Sequence, residues 1–101
     1  MHLKLAETPE QRADKLRFIE LGWTILEAKA IYYGAVLHLP VADDDWYDEI
    51  EAEYVELAAK LNEKEYSNKH VGFPADTGSG RLVLSRLQRV KKKDFKYSIY
   101  R

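Results

Sequence analysis

Two long amphipathic helix patterns meet at one acidic and aromatic junction, and this arrangement most constrains the fold. The first pattern covers about residues 9 to 35. It follows a Thr8 N-cap, and apolar residues recur from Leu16 to Tyr33 at steps of three and four, as on a helix face that packs into a core. The second pattern begins at the run Asp43–Asp48 and continues to about residue 64. A short extended connection through Pro40 joins the two, so the sequence predicts an antiparallel helical hairpin.

The junction between the two helices is also the most promising ligand site. An Asp at the start of a helix accepts hydrogen bonds from the free N–H groups of the first turn. This role explains one Asp of the run, or two. It leaves Tyr47 and Asp48 just inside the second helix, close to the aromatic pair Tyr32 and Tyr33 at the end of the first. If a surface of this chain holds a ligand, we expect it here.

The remainder of the chain predicts a loop followed by a short β-hairpin. Residues 65–80 are rich in turn formers, and the basic C-terminal segment covers residues 81–101. Residues 82–84 and the alternating stretch 95–100 indicate two strands, with residues 89–94 at the tip of the hairpin. A helix over residues 82–90 is the competing interpretation, because its leucines also suit a helical step. The predicted fold class is therefore α+β, mainly α, in a single domain of residues 1–101.

The charge of the chain is strongly divided along its length. The formal net charge is −1, yet residues 1–80 carry 8 Lys and Arg against 16 Asp and Glu, whereas residues 81–101 carry 8 against 1. Such polarity indicates either a nucleic-acid-binding segment or contact between the basic segment and an acidic body, of the same or another copy. The candidate residues for a nucleic acid or a protein partner are Arg81, Arg86, Arg89, Lys91, Lys92, Lys93 and Lys96.

Several function classes find no support in the residues. The chain has no cysteine, which excludes disulfides, thiolate metal sites and a cysteine nucleophile. The serines lie in no catalytic motif, and the three histidines have no metal-binding spacing. No apolar run approaches the length of a membrane span, and the N-terminus does not read as a signal peptide. We therefore expect a cytoplasmic protein that is not an enzyme, does not enter membranes, and needs neither a metal nor a cofactor.

The junction resembles the N-terminal helical domain of bacterial NAD-dependent DNA ligases. The resemblance covers about residues 25–72 and rests on the Tyr-rich helix end, Pro40, the D-x-x-Y-D pattern that starts at Asp44, and a later Val-Gly pair at residues 71–72. In that family the domain grips the nicotinamide mononucleotide half of NAD. The resemblance implies that NAD or nicotinamide mononucleotide is a ligand here. By the same resemblance, the contacts are Tyr33, Asp44, Tyr47 and Asp48.

The sequence also departs from the ligase pattern in three places, one of which is a spacing from Tyr33 to Pro40 that is one residue longer. Gly34 stands where many such ligases have a histidine after the tyrosine. The adenylation motif K-x-D-G is absent, because the run Lys92-Lys93-Asp94-Phe95 has Phe in the glycine position. The departures indicate that this chain is not a ligase by itself.

Three functions remain open from the sequence. The first is a stand-alone, ligase-like module, non-catalytic, that binds a nucleotide or a partner in DNA metabolism. The second is a phage or mobile-element protein that binds and inhibits a host or defence nucleic-acid-binding protein through its acidic helices. The third is direct nucleic-acid binding by residues 81–101, whose basic and aromatic residues suit backbone contacts plus base stacking. The opposite charge poles and exposed aromatics are also compatible with a homodimer.

Overall fold

The computed structural model describes residues 8–63 and 72–97. It contains three α-helices in these ranges, α1 (Pro9–Tyr32), α2 (Asp44–Leu61) and α3 (Gly78–Gln88), and then a 3-10 turn at Lys92–Asp94. The chain is mainly helical, as predicted, and the described residues contain no β-strand. Within the same ranges, no helix is both long and apolar enough to cross a membrane.

Helix α1 begins and ends through signals that are visible in the sequence. The Thr8 hydroxyl accepts from the Gln11 N–H at 3.1 Å, and the Gln11 side chain accepts from the Thr8 N–H at 3.0 Å. This reciprocal capping box satisfies two backbone donors at the helix start. The helix ends three residues earlier than predicted, because Gly34 turns the chain away with a φ of +80°.

Helix α2 is capped by a single aspartate of the acidic run. One Asp43 carboxylate oxygen accepts from the N–H groups of Asp45 and Trp46, at 2.8 and 3.4 Å. The helix ends at Leu61, and Asn62 adopts the left-handed conformation of a C-cap with a φ of 54°. The helix therefore ends about three residues before the predicted end near residue 64, because Asn62 leaves the helical conformation. Because Asp43 alone caps the helix through its side chain, Asp44 is not required for this role.

Helices α1 and α2 form the predicted antiparallel hairpin. The start of α1 contacts the end of α2 through an ion pair between Asp14 and Lys60 at 2.7 Å. One turn further along α1, the Phe18 ring stacks on Tyr54 with centroids 4.6 Å apart. The interior of the hairpin contains the buried residues Leu21, Ile25, Ile50, Tyr54 and Leu57.

The apolar stripe of α1 is buried only in part. Leu21, Ile25 and residues 26–31 lie in the interior, whereas Leu16 and Ile19 at one end of the stripe and Tyr32 and Tyr33 at the other are exposed. The expectation that the whole stripe faces a core is therefore wrong at both of its ends.

The predicted C-terminal β-hairpin is wrong. Residues 82–84 belong to α3, and residues 89–94, the predicted tip, form the end of this helix and the 3-10 turn. Residues 95–97 are irregular, and residues 98–100 lie outside the described part of the chain. The competing helix interpretation is the correct one. The predicted loop over residues 65–80 also ends too late, because α3 starts at Gly78.

Residues 78–88 form a helix for two reasons, a local N-cap and tertiary packing against α1. Thr77 caps α3 by accepting the Gly80 N–H at 3.0 Å. Val83 and Leu87, one helical turn apart, are both fully buried against the second half of α1. Their core also contains Leu26, Ala30, Ile31, Val36 and Leu39.

The residues after α3 brace the connection between α1 and α2. His38 donates from Nε2 to the carbonyl oxygen of Val90 at 2.7 Å. The Tyr97 hydroxyl donates to the carbonyl oxygen of Pro40 at 2.8 Å. Since residues 36–42 connect the two helices, these bonds fix the loop that positions the junction.

Candidate functional site

The α1–α2 junction forms a pocket of about 150 Å³. Three elements contribute to it: the last turns of α1, the connection that follows, and the first turn of α2. Three of the four predicted contacts line the pocket, and the fourth, Asp48, does not. The lining residues are Ala28, Lys29, Tyr32, Tyr33, Val41, Ala42, Asp44 and Tyr47.

Helical spacing explains why these side chains meet. Lys29 and Tyr33 are four residues apart near the end of α1, and positions at this separation lie one above the other on the same side. Asp44 and Tyr47 are separated by three residues in the first turn of α2 and share a side in the same way. The antiparallel arrangement brings the end of the first helix to the start of the second.

Tyr32 and Tyr33 supply exposed aromatic surface at the pocket. Their side chains are 64% and 53% exposed. The two rings contact each other edge to face, with centroids 5.0 Å apart and planes at 88°. Exposed aromatic rings beside the apolar side chains of Val41 and Ala42 can stack against a planar ligand.

Tyr47 is a half-buried, neutral donor in the pocket wall. Its burial, followed by the charge of Glu51 and a hydrogen bond to that carboxylate, raises the pKa of the Tyr47 hydroxyl to about 12. The charges of Tyr33 and Asp48 act in the same direction on this pKa. Asp48 therefore lies near Tyr47, at the edge of the site, although it does not line the pocket.

Lys29 is the pocket residue that the sequence interpretation missed most clearly. It is only 8% exposed, and burial lowers the pKa of its ammonium group while Glu51 opposes this shift. A single lysine within an apolar helix stripe gives little reason to expect a buried charge, since lysines are usually exposed. Its position one turn before Tyr33 is the sequence signal that could have identified it. Tyr32 also lines the pocket, although it is not among the four predicted contacts.

Asp44 gives the pocket an exposed carboxylate. The residue is the first of α2, and its side chain takes no part in the cap that Asp43 makes. A carboxylate here can accept hydrogen bonds from a ligand or balance a positive charge on it.

All seven predicted basic residues are exposed, and none of them lines the pocket. Arg81 and Arg86 lie on α3 and Arg89 is its C-cap, whereas Lys91, Lys92, Lys93 and Lys96 lie in and around the 3-10 turn. The aromatic residues interspersed with them face the core instead. The Phe95 and Tyr97 rings contact each other at 4.7 Å, and Tyr97 contacts Trp46 at 4.8 Å.

The acidic face of α2 contributes at least one carboxylate, that of Glu53, to contacts between α2 and α1. Arg17 donates to both carboxylate oxygens of Glu53, at 2.7 and 2.9 Å, and this hydrogen bonding lowers the pKa of Glu53. Across the described ranges, no group of His, Asp and Glu side chains is arranged to hold a metal ion.

No family model, curated protein or solved structure matches the chain. The resemblance to the N-terminal domain of NAD-dependent DNA ligases therefore stays a prediction that rests on the sequence pattern at the junction.

Proposed function

We propose that this chain is a non-catalytic module of DNA metabolism that binds a nicotinamide nucleotide, NAD or nicotinamide mononucleotide, in the α1–α2 junction pocket. The observation that carries the proposal is the convergence of Tyr33, Asp44 and Tyr47 on one pocket. These are residues that the ligase resemblance names for the same ligand.

The electrostatics of the pocket suit an oxidised nicotinamide ring, which is planar and carries a positive charge. Tyrosine rings attract cations through the negative potential of their faces. The pocket lies between the C-terminus of α1, whose dipole favours positive charge, and the N-terminus of α2, whose dipole opposes it, so the tyrosine rings and Asp44 carry the attraction. Lys29 lies near Glu51, so their charges offset each other, and Asp44 supplies the remaining negative charge.

The size of the pocket suits one ring and no more. Its volume of about 150 Å³ lies below the roughly 300 Å³ at which pockets begin to enclose a whole drug-sized ligand. The ribose would lie at the pocket mouth, where the exposed Asp44 and Asp48 can accept hydrogen bonds from its hydroxyls, and the phosphate would extend into solvent away from these carboxylates. With the ring alone enclosed, we expect weak binding, with a dissociation constant near the millimolar range.

The test is calorimetric titration with nicotinamide mononucleotide of the unmodified protein and two isosteric variants. Asp44→Asn keeps the side-chain size and removes the negative charge of Asp44 from the pocket. We expect about fivefold weaker binding, which is a loss of about 1 kcal/mol in binding free energy. Asp45→Asn makes the same charge change one residue away, on an exposed side chain that does not line the pocket. This control should bind like the unmodified protein.

A second comparison isolates the ring charge. The reduced mononucleotide has nearly the same shape, and its ring is neutral, so it should bind more weakly than the oxidised form. Equal binding of the two forms would refute the electrostatic argument. Equal effects of Asp44→Asn and Asp45→Asn would refute the assignment of the pocket.

A further inference from the structure

A cationic surface lies on and after α3, and the proposed nucleotide site does not use it. Residues 81–97 carry 7 Lys and Arg against 1 acid, whereas residues 8–63 carry 5 against 13. The α3 basic surface, as we define it, comprises Arg81, Arg89, Lys91, Lys92 and Lys93.

The geometry of α3 turns its arginines toward solvent. The buried side of the helix carries Gly80, Val83 and Leu87. Arg81 and Arg89 lie on the opposite side, with Ser85 between them at steps of four residues. Their Cα atoms are about 12 Å apart along the helix axis at 1.5 Å per residue. The three lysines follow in and beside the 3-10 turn, at residues 91–93, so the positive charges continue along one stretch of chain.

These cations are not engaged within the part of the chain that the structure describes. Among the ion pairs found there are those of Arg17 with Glu20 and Glu53, and those of Lys60 with Glu10 and Asp14. These pairs lie within the helical hairpin, and none of them involves the α3 basic surface. The only carboxylate between residues 81 and 97 is Asp94.

The composition of the surface favours a nucleic acid over a protein partner. Stable protein interfaces centre on desolvated aromatic and apolar residues and are depleted in lysine. The outward side of α3 exposes one large apolar side chain, Leu82, and three consecutive lysines follow the helix. Nucleic-acid interfaces are more polar and much more positively charged than protein interfaces.

The inward orientation of the aromatic rings further defines the mode of contact. In the described part of this segment, the half-buried rings of Phe95 and Tyr97 pack against the core and against each other, which leaves them poorly placed to stack on bases. The remaining contacts come from arginine and lysine, whose charges are attracted to the phosphates, and phosphate contacts carry no sequence information. We propose that the α3 basic surface binds the phosphate backbone of nucleic acid without sequence preference, independently of the junction pocket.

The test measures binding to a fluorescently labelled DNA duplex by anisotropy over a series of salt concentrations. Affinity should fall linearly with salt on logarithmic axes and should be the same for duplexes of unrelated sequence. Arg89→Gln and Lys92→Gln should each weaken binding and reduce the salt slope by about one. Arg12→Gln is the matched control, because it removes an exposed cation from α1 and should change neither quantity.

Three results would overturn this proposal. The first is no binding at low salt, and the second is an equal loss for Arg12→Gln and Arg89→Gln. The third is self-association, seen by sedimentation, that Arg89→Gln or Lys92→Gln abolishes, because it would assign the surface to the acidic face of a second copy. Asp44→Asn should leave DNA affinity unchanged, so this test is separate from that of the nucleotide pocket. Circular dichroism would confirm that each variant retains its helical content.

Discussion

Replacement of Gly80 by alanine should strongly destabilise α3 and its packing on α1. A Cβ at this position would overlap the carbonyl oxygen of Pro74 and lie 2.9 Å from its carbonyl carbon. Both atoms belong to the backbone, so the turn before the helix would have to move. Thr77 holds this turn, because its hydroxyl accepts from the Gly80 N–H at 3.0 Å and donates to the Pro74 carbonyl oxygen at 2.8 Å.

Two contributions set the size of the effect of Gly80→Ala. Loss of an N-cap costs about 1 kcal/mol, and an added methyl group in a closely packed site costs about 1–3 kcal/mol. The free energy of unfolding should therefore fall by about 2–4 kcal/mol, measured by urea denaturation followed by circular dichroism.

Gly78 provides the matched control in the same turn of α3. A Cβ at this position meets nothing within 4 Å, and its φ lies outside the left-handed region. Because alanine is the better helix former, Gly78→Ala should be neutral or stabilising by up to about 1 kcal/mol. If the two variants had equal stability, the close approach of α3 to the Pro74 turn would be refuted.

Three further predictions concern the core, the surface ion pair and two half-buried tyrosines. Leu87→Ala should lower the free energy of unfolding by about 2–5 kcal/mol in the same assay, because Leu87 is fully buried, and a change below 1 kcal/mol would contradict this burial. A double-mutant cycle of Arg17→Ala and Glu53→Ala should give a coupling of about 0.5–1 kcal/mol that salt weakens, and zero coupling at low salt would count against the pair. Since Arg17 lowers the pKa of Glu53 below its usual 4.5, this coupling should be present above pH 4.5 and disappear as the pH falls through the lowered pKa. Tyr47 and Tyr97 should ionise near pH 12, so the stability that each gains from its raised pKa is complete below pH 10 and is lost as the pH rises toward 12. In an absorbance titration, Tyr47→Phe and Tyr97→Phe should each remove one tyrosine that ionises only at high pH. An unchanged titration curve would contradict the raised pKa of that tyrosine.

The helical hairpin could be predicted because its signals are local and agree with one another. Thr8 and Asp43 are N-caps that can be recognised from residue type and from the apolar pattern that follows them. Ile50, Tyr54 and Leu57 recur at a helical step and are buried as expected. The end of α1 is harder to predict, because Gly34 turns the chain with a positive φ and the helix stops earlier than the apolar periodicity indicates.

Helix α3 could not be distinguished from a strand by its own sequence pattern. A short apolar run such as residues 82–84 fits both the period of a helix and that of a strand. The helix results from the Thr77 cap together with the burial of Val83 and Leu87 against α1, and the second of these is a long-range contact. Such a contact is invisible in a local window of sequence.

The candidate site was predictable where residue type and position carried the information. Tyr33, Asp44 and Tyr47 line the pocket, as the junction suggested. The burial of Lys29 depends on how closely the connection and α2 cover the end of α1, and the residue itself gives no sign of this. Asp48 is predicted from the D-x-x-Y-D pattern of the ligase resemblance, yet it does not line the pocket with Tyr47, because neighbouring positions on a helix point in different directions.

The most direct test of the proposed function is a two-dimensional NMR titration of the isotopically labelled protein with nicotinamide mononucleotide. We predict saturable shifts that cluster on the pocket residues, with Tyr33, Asp44 and Tyr47 among the largest, and small changes on α3. The absence of shifts at millimolar ligand, or shifts confined to residues away from the junction, would contradict the proposal that this chain binds a nicotinamide nucleotide.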